Sequence, residues 1–365
     1  MNRKPPRNGE KTKILNTLLI DGNALFKTGF TGASSVFNRE GVHVGGIYQF
    51  ITVLRKLLSE NLYHQVYVFW DGTFSGKLRY NFYPDYKSAR GKDYINGTHP
   101  VDESEVNQKV RISKYLEELF IREIKDEIVE SDDYIAYYCK TKKEHEAVTI
   151  CTNDSDMAQL INRGIRIYFC NPQIKNYVTV SNFNNYFKPH RENSALVKSM
   201  VGDTADSIRG IKRLGESTLL KNFPELTERK VTLEEILIKT EKLQNERLEV
   251  KKKPLAVFTN IIHGITTTMP DENGNSEDLT MGMDFYDRNW KLVNLSEPLM
   301  TETALARLVE YLDVPLNPEG RSIKNAYTLI KQDGIDYIIG ETRFNDYLVP
   351  FKKIMERELK KIIVE

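Results

Sequence analysis

At 365 residues and 42.3 kDa the chain can bury a substantial core, as two domains or as one large domain with additions. Its 40% apolar and 28% charged residues are globular proportions, which exclude wholesale disorder, a collagen-like repeat and a coiled-coil rod. A net charge of +1, from 52 basic against 51 acidic residues, excludes a histone-like or polybasic protein. In chain order, residues 1–13 (MNRKPPRNGEKTK) carry five basic residues and no apolar period, and read as a disordered basic arm. That start is too polar for a signal peptide, and no run reaches ~18 apolar residues, so a soluble cytoplasmic protein is expected. TLLID (17–21) and VYVFWD (66–71) read as strands around a helix near 45–61. A helix over roughly 104–126 leads to ESDDYIAYYCK (130–140), then come strand AVTICTND (147–154), a short helix and strand IRIYFC (165–170). Strands alternating with helices imply a parallel sheet covered on both faces. From about 193 the strands stop, and 194–223 reads as short helices joined by glycine turns. Thr232 and Glu235 form a capping box for a charged helix that Pro254 ends, and 270–278 reads as a mobile acidic loop. The last stretch places Phe351, Met355, Leu359 and Ile362 on one helical face, a core-facing stripe.

The acids mark a site. In an open parallel sheet ligands bind beyond the carboxyl ends of the strands. Asp21 and Asp71 each end a strand, and Asp154 and Asp156 follow a third. Glu130, Asp132 and Asp133 open a helix leading to the same edge, with Glu130 and Asp133 three apart on one face. A lone aspartate after a strand is usually a turn or helix cap, but recurrence at three strand ends favours a site. Seven carboxylates in one cleft repel one another unless cations neutralise them. Oxygen ligands without His or Cys suit Mg²⁺ or Mn²⁺ rather than zinc. The turn DGNALFK lacks the spaced glycines of a dinucleotide site. The three cysteines, Cys139, Cys151 and Cys170, read as buried thiols, and the six histidines show no metal spacing.

Segment 77–92, KLRYNFYPDYKSARGK, interleaves Lys77, Arg79, Lys87, Arg90 and Lys92 with Tyr80, Phe82, Tyr83 and Tyr86. Cations for phosphate and rings for exposed bases suit a single-strand binder; the alternative is a solvated helix with its rings on the sheet. In SIRGIKRLGES, with Arg209 and Lys212, Gly210 and Gly215 permit a tight turn whose backbone approaches phosphate; the alternative is two small helices on a core.

LLIDGNALF, VFWDGTFSGKLRYNFYPDYKSARGK, EIVESDDYIAYY, TNDSDMAQLI and VGDTADSIRGIKRLG, in this order, resemble the structure-specific 5′-nuclease family of flap endonucleases and phage 5′ to 3′ exonucleases. From Ser75 onward the likeness is greatest to the T-even phage ribonuclease H branch, and it covers about residues 14–223 well. It implies a PIN-like α/β domain at 14–192 with a helical arch at about 80–125. A helical C-terminal domain at 193–365 would follow, with a helix-hairpin-helix-like motif at about 200–223. It implies two Mg²⁺ sites, the first at Asp21, Asp71, Glu130 and Asp132 with Asp133 beside it. The second comprises Asp154, Asp156 and Asp203, with Asp206 as an outer acid. Lys87 and Arg90 match a basic pair on the scissile phosphate, Tyr86 a stacking ring, and the glycine turn a duplex grip that commonly binds K⁺. The reading is a Mg²⁺-dependent nuclease removing RNA primers or DNA 5′ flaps in replication, a monomer, in the host cytoplasm if phage-encoded. A replication clamp or single-strand-binding protein is its candidate protein partner. Two alternatives are a PIN-like ribonuclease of RNA processing and a non-catalytic branched-DNA binding module.

Overall fold

The computed structural model describes residues 14–91, Gly97, 102–170, 174–271 and 273–364. The expected arm at 1–13, Lys92 and much of the expected crossing at 94–104 lie outside these residues. Strands β1 (Leu15–Asp21), β2 (Gln65–Asp71), β3 (Arg122–Asp126), β4 (Glu146–Thr152), β5 (Ile165–Phe169) and β6 (Tyr177–Val178) form one sheet in the order β3-β2-β1-β4-β5-β6. The first five are parallel and β6 is antiparallel at the edge. Because β1 has β2 on one side and β4 on the other, the chain switches direction there, and a crevice opens beyond their carboxyl ends.

Side-chain alternation sends each strand into two cores. Leu18, Ile20, Val66, Val68 and Trp70 enter one, with helices α1 (Gly22–Gly32), α2 (Gly45–Glu60) and, after the four-residue α3 (Lys77–Tyr80), α4 (Glu103–Glu118). Leu19, Tyr67, Phe69, Val148 and Ile150 enter the other, with α5 (Ser131–Thr141). Strand β3 was hidden inside the helix expected at 104–126. Its sequence REIKD offers no apolar run, because an edge strand buries only Ile124 and Asp126. The expected arch also differs: Ile112, Tyr115 and Leu116 of α4 are fully buried against the sheet domain, so this helix is packed rather than free-standing.

A third core joins α6 (Ser194–Val201), α7 (Glu216–Asn222), α8 (Glu225–Glu228), α9 (Leu233–Glu249), α10 (Ala256–Ile262) and α11 (Met283–Val293). Between α6 and α7 lies a small antiparallel pair, β7 (Gly202–Asp203) and β8 (Ile208–Arg209). The Thr232–Glu235 capping box opens α9, which stops at Glu249, ahead of Pro254. The 270–278 loop joins an antiparallel pair, β9 (Ile265–Thr267) and β10 (Asp278–Thr280).

The remaining helices, α12 (Glu302–Asp313), α13 (Ile323–Gln332), α14 (Ile335–Ile339), α15 (Glu341–Tyr347) and α16 (Val349–Val364), return to the sheet. Ala304 and Leu308 enter one sheet core, and Ala326, Ile330, Tyr347, Leu348 and Phe351 the other. The residues expected to form one helical domain at 193–365 are therefore divided between the third core and the two sheet cores. No helix among the described residues is long and apolar enough to cross a membrane.

Candidate active site

The acidic cleft lies where the topology places it. Asp21, at the end of β1, caps α1 by accepting from Ala24 N at 3.0 Å and accepts from Thr152 Oγ1 at 2.8 Å. Asp71, at the end of β2, accepts from Ser131 N at 2.7 Å, which ties β2 to the start of α5. Asp154 follows β4 and accepts from Asp156 N at 2.7 Å. Burial pushes the Asp21 carboxyl up to about 7, with Asp71 and Asp154 adding repulsion. Asp132 is raised by burial and then by Asp154, Asp21, Asp71 and Glu130. Acids from three strand ends and one helix start thus sense one another's charge. The cap and cleft readings of Asp21 are both realised in one side chain.

Cations stand among these acids. Arg79, 5% exposed, reaches Glu130 through Nη1 and Asp133 through Nη1 at 2.6 Å and Nη2 at 3.1 Å. The three-residue spacing of Glu130 and Asp133 presents both to this one guanidinium. Asp133 also accepts from Leu299 N at 2.9 Å, so its oxygens are engaged by protein donors. Lys87 pairs with Glu130, whose oxygens also accept from Tyr86 OH at 3.1 Å. Burial would raise Glu130, yet Lys87 and Arg79 bring it down to about 2. Lys87 sits in the left-handed region at φ 55°, held by its N–H to Asp206 O at 2.8 Å. Arg90 reaches Asp206 Oδ1 at 3.3 Å.

The expectation that Arg79, Tyr83 and Tyr86 meet nucleic acid needs correction: all three are buried. Arg79 neutralises two carboxylates, while Tyr83 and Tyr86 pack with Ile208, Leu292 and Val293. These two rings are packed, but against β8 and the end of α11 rather than on the sheet.

Lys198 is a residue that sequence reasoning missed. From α6 it pairs with Asp156 and lies 2.5 Å from Asp203 Oδ2. Against the upward push of burial it holds Asp203 below its usual range, whereas burial and Asp154 raise Asp156 to about 7. Its signal was a lone cation inside the apolar run SALVKSMV. Asp206 is raised by burial, although Lys87 opposes this.

Beyond Asp203 the chain makes its turn. A Cβ at Gly210 would lie 2.1 Å from Val201 O, so only glycine allows this approach. Gly215 is different: its φ is −97° and a Cβ there meets nothing within 4 Å. The need for a glycine therefore falls at Gly210 and not at Gly215. The carbonyls of Arg209, Gly210 and Lys212 accept from Asn289 Nδ2, Thr266 Oγ1 and Asn260 Nδ2, each at 2.8 Å.

Residues 16–188 match the family described as 5′-3′ exonuclease, N-terminal resolvase-like domain. Over these residues, somewhat less than half of the chain, the protein is similar to that family. It is 26% identical over 305 residues to DNA polymerase I of Bacillus subtilis, covering 82% of this chain and 33% of that protein. A 5′-3′ exonuclease of Mycoplasmopsis pulmonis is 26% identical over 212 residues, covering 57% of this chain and 67% of that one. The chain thus spans about a third of the polymerase relative. In fold it is similar to the bacteriophage T5 5′-exonuclease with bound zinc, at TM-score 0.54 and 15% identity over 94% of this chain and 99% of that one. The T5 flap endonuclease in a complex with DNA and metal ions gives TM-score 0.53 and 16% identity over 92% and 99%.

The donor set of the cleft suits a divalent ion. Asp21, Asp71, Asp132 and Asp154 are hard oxygen donors, and the charges of Asp71 and Asp154 help raise Asp21 and Asp132, a repulsion that a bound dication relieves. The fit is one of donor type and charge. Among the described residues no three His, Cys, Asp or Glu side chains already surround a single ion position. At the turn the carbonyls of Arg209, Gly210 and Lys212 each accept one side-chain donor, so protein groups already pin this backbone.

Proposed function

We propose that this chain is a structure-specific 5′-nuclease, dependent on Mg²⁺ with Mn²⁺ able to substitute. Its reaction is hydrolysis of phosphodiesters in RNA primers and DNA 5′ ends or flaps during replication, leaving 5′-phosphates. The observation that carries this is the meeting of Asp21, Asp71, Asp132 and Asp154 at the sheet's switch point, where Asp71 and Asp154 add to the burial that raises Asp21 and Asp132. The likeness of residues 16–188 to the 5′-3′ exonuclease family supports the same chemistry, as do the DNA and metal ions bound by the T5 flap endonuclease.

Asp21, Asp71, Glu130 and Asp132 would hold one ion, and Asp154, Asp156 and Asp203 a second, with Asp206 supporting from outside. Ions held by these residues would supply an activated water and charge stabilisation for the leaving oxygen. The chain's own groups do the rest. Lys87 and Arg90, beside Glu130 and Asp206, offer cations to the scissile phosphate. Arg79 fixes Glu130 and Asp133 in place, and Asp133 serves as this anchor in place of a ligand. Lys198 holds Asp156 and Asp203 together, giving the second acidic group its shape. The turn at 209–215 grips duplex backbone and sets the distance from junction to cut.

A time course with an end-labelled 5′ flap and a matched RNA-primed duplex, with Mg²⁺ or with EDTA, tests this. Both substrates should be cut only with Mg²⁺, and Asp156→Asn should bind them without cutting. Near-normal turnover of that variant, or cleavage in EDTA, rejects the proposal.

A further inference from the structure

Three buried polar side chains converge on the turn from the stretch between α9 and α12, to which sequence gave no role. Thr266, 1% exposed, donates to Gly210 O, and Asn260 donates to Lys212 O. Asn289, 0% exposed, donates through Nδ2 to both Ser199 O and Arg209 O at 2.8 Å. Its Oδ1 accepts from Arg288 Nε at 3.0 Å and Nη2 at 2.8 Å, which fixes the amide's orientation. The Arg288 guanidinium lies 4.7 Å over the ring of Tyr83, whose hydroxyl donates to Ser207 O at 3.1 Å.

The placement of these bonds matters more than their number. Ser199 is near the end of α6, four residues before Asp203, and Arg209 opens the turn. One amide therefore joins the segment carrying a cleft acid to the segment carrying the turn. The same network reaches back to Tyr83, four residues before Lys87. Fully paired buried groups of this kind fix a backbone closely, because any displacement leaves an unsatisfied donor. Three turn carbonyls are thus pinned by protein donors.

We infer that Asn289, Thr266 and Asn260 are positioning residues that hold the duplex-gripping turn at a set distance from the acidic cleft, doing with side-chain donors what a bound K⁺ would otherwise do. This rests on the reading of the turn as a duplex grip. Two properties follow. Duplex binding depends on ionic strength but not on which monovalent cation provides it, and the site of cutting relative to the junction depends on residues that never touch nucleic acid.

The test measures binding of a 5′-flap substrate and maps the cut in KCl and in NaCl at equal ionic strength. It uses the wild type and the Thr266→Val, Thr266→Ser and Asn289→Leu variants, each checked by circular dichroism. Wild-type dissociation constants should agree within about twofold between the two salts. Thr266→Val, which keeps shape and removes the donor, should weaken flap binding by about tenfold relative to a short single strand. It should also scatter the cut over neighbouring positions, and Thr266→Ser should restore both. Should Asn289→Leu fail to fold, Thr266→Val alone decides. A wild type that binds about tenfold tighter in K⁺, or a Thr266→Val protein with unchanged affinity and cut, overturns the inference. A wild type with no preference for duplex over single strand rejects the grip itself and this inference with it.

Discussion

Arg79 and Lys87 both pair with Glu130, yet their environments assign them different work. Arg79 is buried between Glu130 and Asp133, so removing its charge leaves Asp133 desolvated without its cation and Glu130 with Lys87 alone. Breaking a buried pair this way costs about 3–5 kcal/mol. Arg79→Met should therefore lower the urea midpoint of unfolding strongly, and an unchanged midpoint would mean water reaches these acids. Lys87 ends closer to solvent, and its left-handed backbone aims the ammonium at the cleft. Lys87→Ala should slow single-turnover cleavage by roughly 10²-fold or more with a smaller change in substrate dissociation constant. If affinity falls while the single-turnover rate holds, Lys87 only binds. Nothing in the sequence separates these two cations, since both occupy one basic, aromatic segment. Their division depends on which is covered by Leu292 and Val293, more than 200 residues away.

At the scale of elements, legibility followed apolar pattern. Strands β1, β2, β4 and β5 are buried on both faces and read as nearly continuous apolar runs, so the aspartates at or just after the ends of β1, β2 and β4 were visible as a set. Strand β3 lies at the edge, and its REIKD carried no such signal; α1, with three glycines among its eleven residues, was equally hidden. The glycine turn shows a finer limit. Sequence marked Gly210 and Gly215 alike, but only Gly210 faces a neighbouring carbonyl. Gly210→Ala should cost about 1–3 kcal/mol by forcing Val201 and the turn apart. Gly215→Ala, at an open helix N-cap, should cost no more than about 1 kcal/mol. Chemical denaturation of the two variants checks this, and equal costs would mean the turn is not the rigid feature that Gly210 implies. Duplex binding should follow the same order, with Gly210→Ala the weaker binder.

The whole molecule is tied together by its last helices. Sequence placed Phe351 and Met355 on a core-facing stripe, which they form, but pattern within a helix does not say which core receives it. The receiving core is that of the sheet domain: Phe351, fully buried, shares a cluster with Leu18, Ile20, Phe50 and Trp70, and Tyr347 OH meets Thr52 Oγ1 at 2.7 Å. Asp333 adds a polar link, taking Arg111 Nε at 2.8 Å and Tyr115 OH at 2.7 Å from α4. The sheet that presents Asp21 and Asp71 is thus covered on one face by a chain segment some 300 residues further on, and the cleft's rigidity depends on it. Phe351→Ala removes a ring from that core, at a cost of about 3–5 kcal/mol. The chain has two tryptophans, and Trp70 lies in the affected cluster. In a Trp290→Phe background, fluorescence then reports the sheet domain alone, and Phe351→Ala should move the Trp70 unfolding midpoint to lower urea by the full cost. A Trp70 transition that stays in place while helical circular dichroism is lost earlier would mean the terminal helices form a separately folding unit.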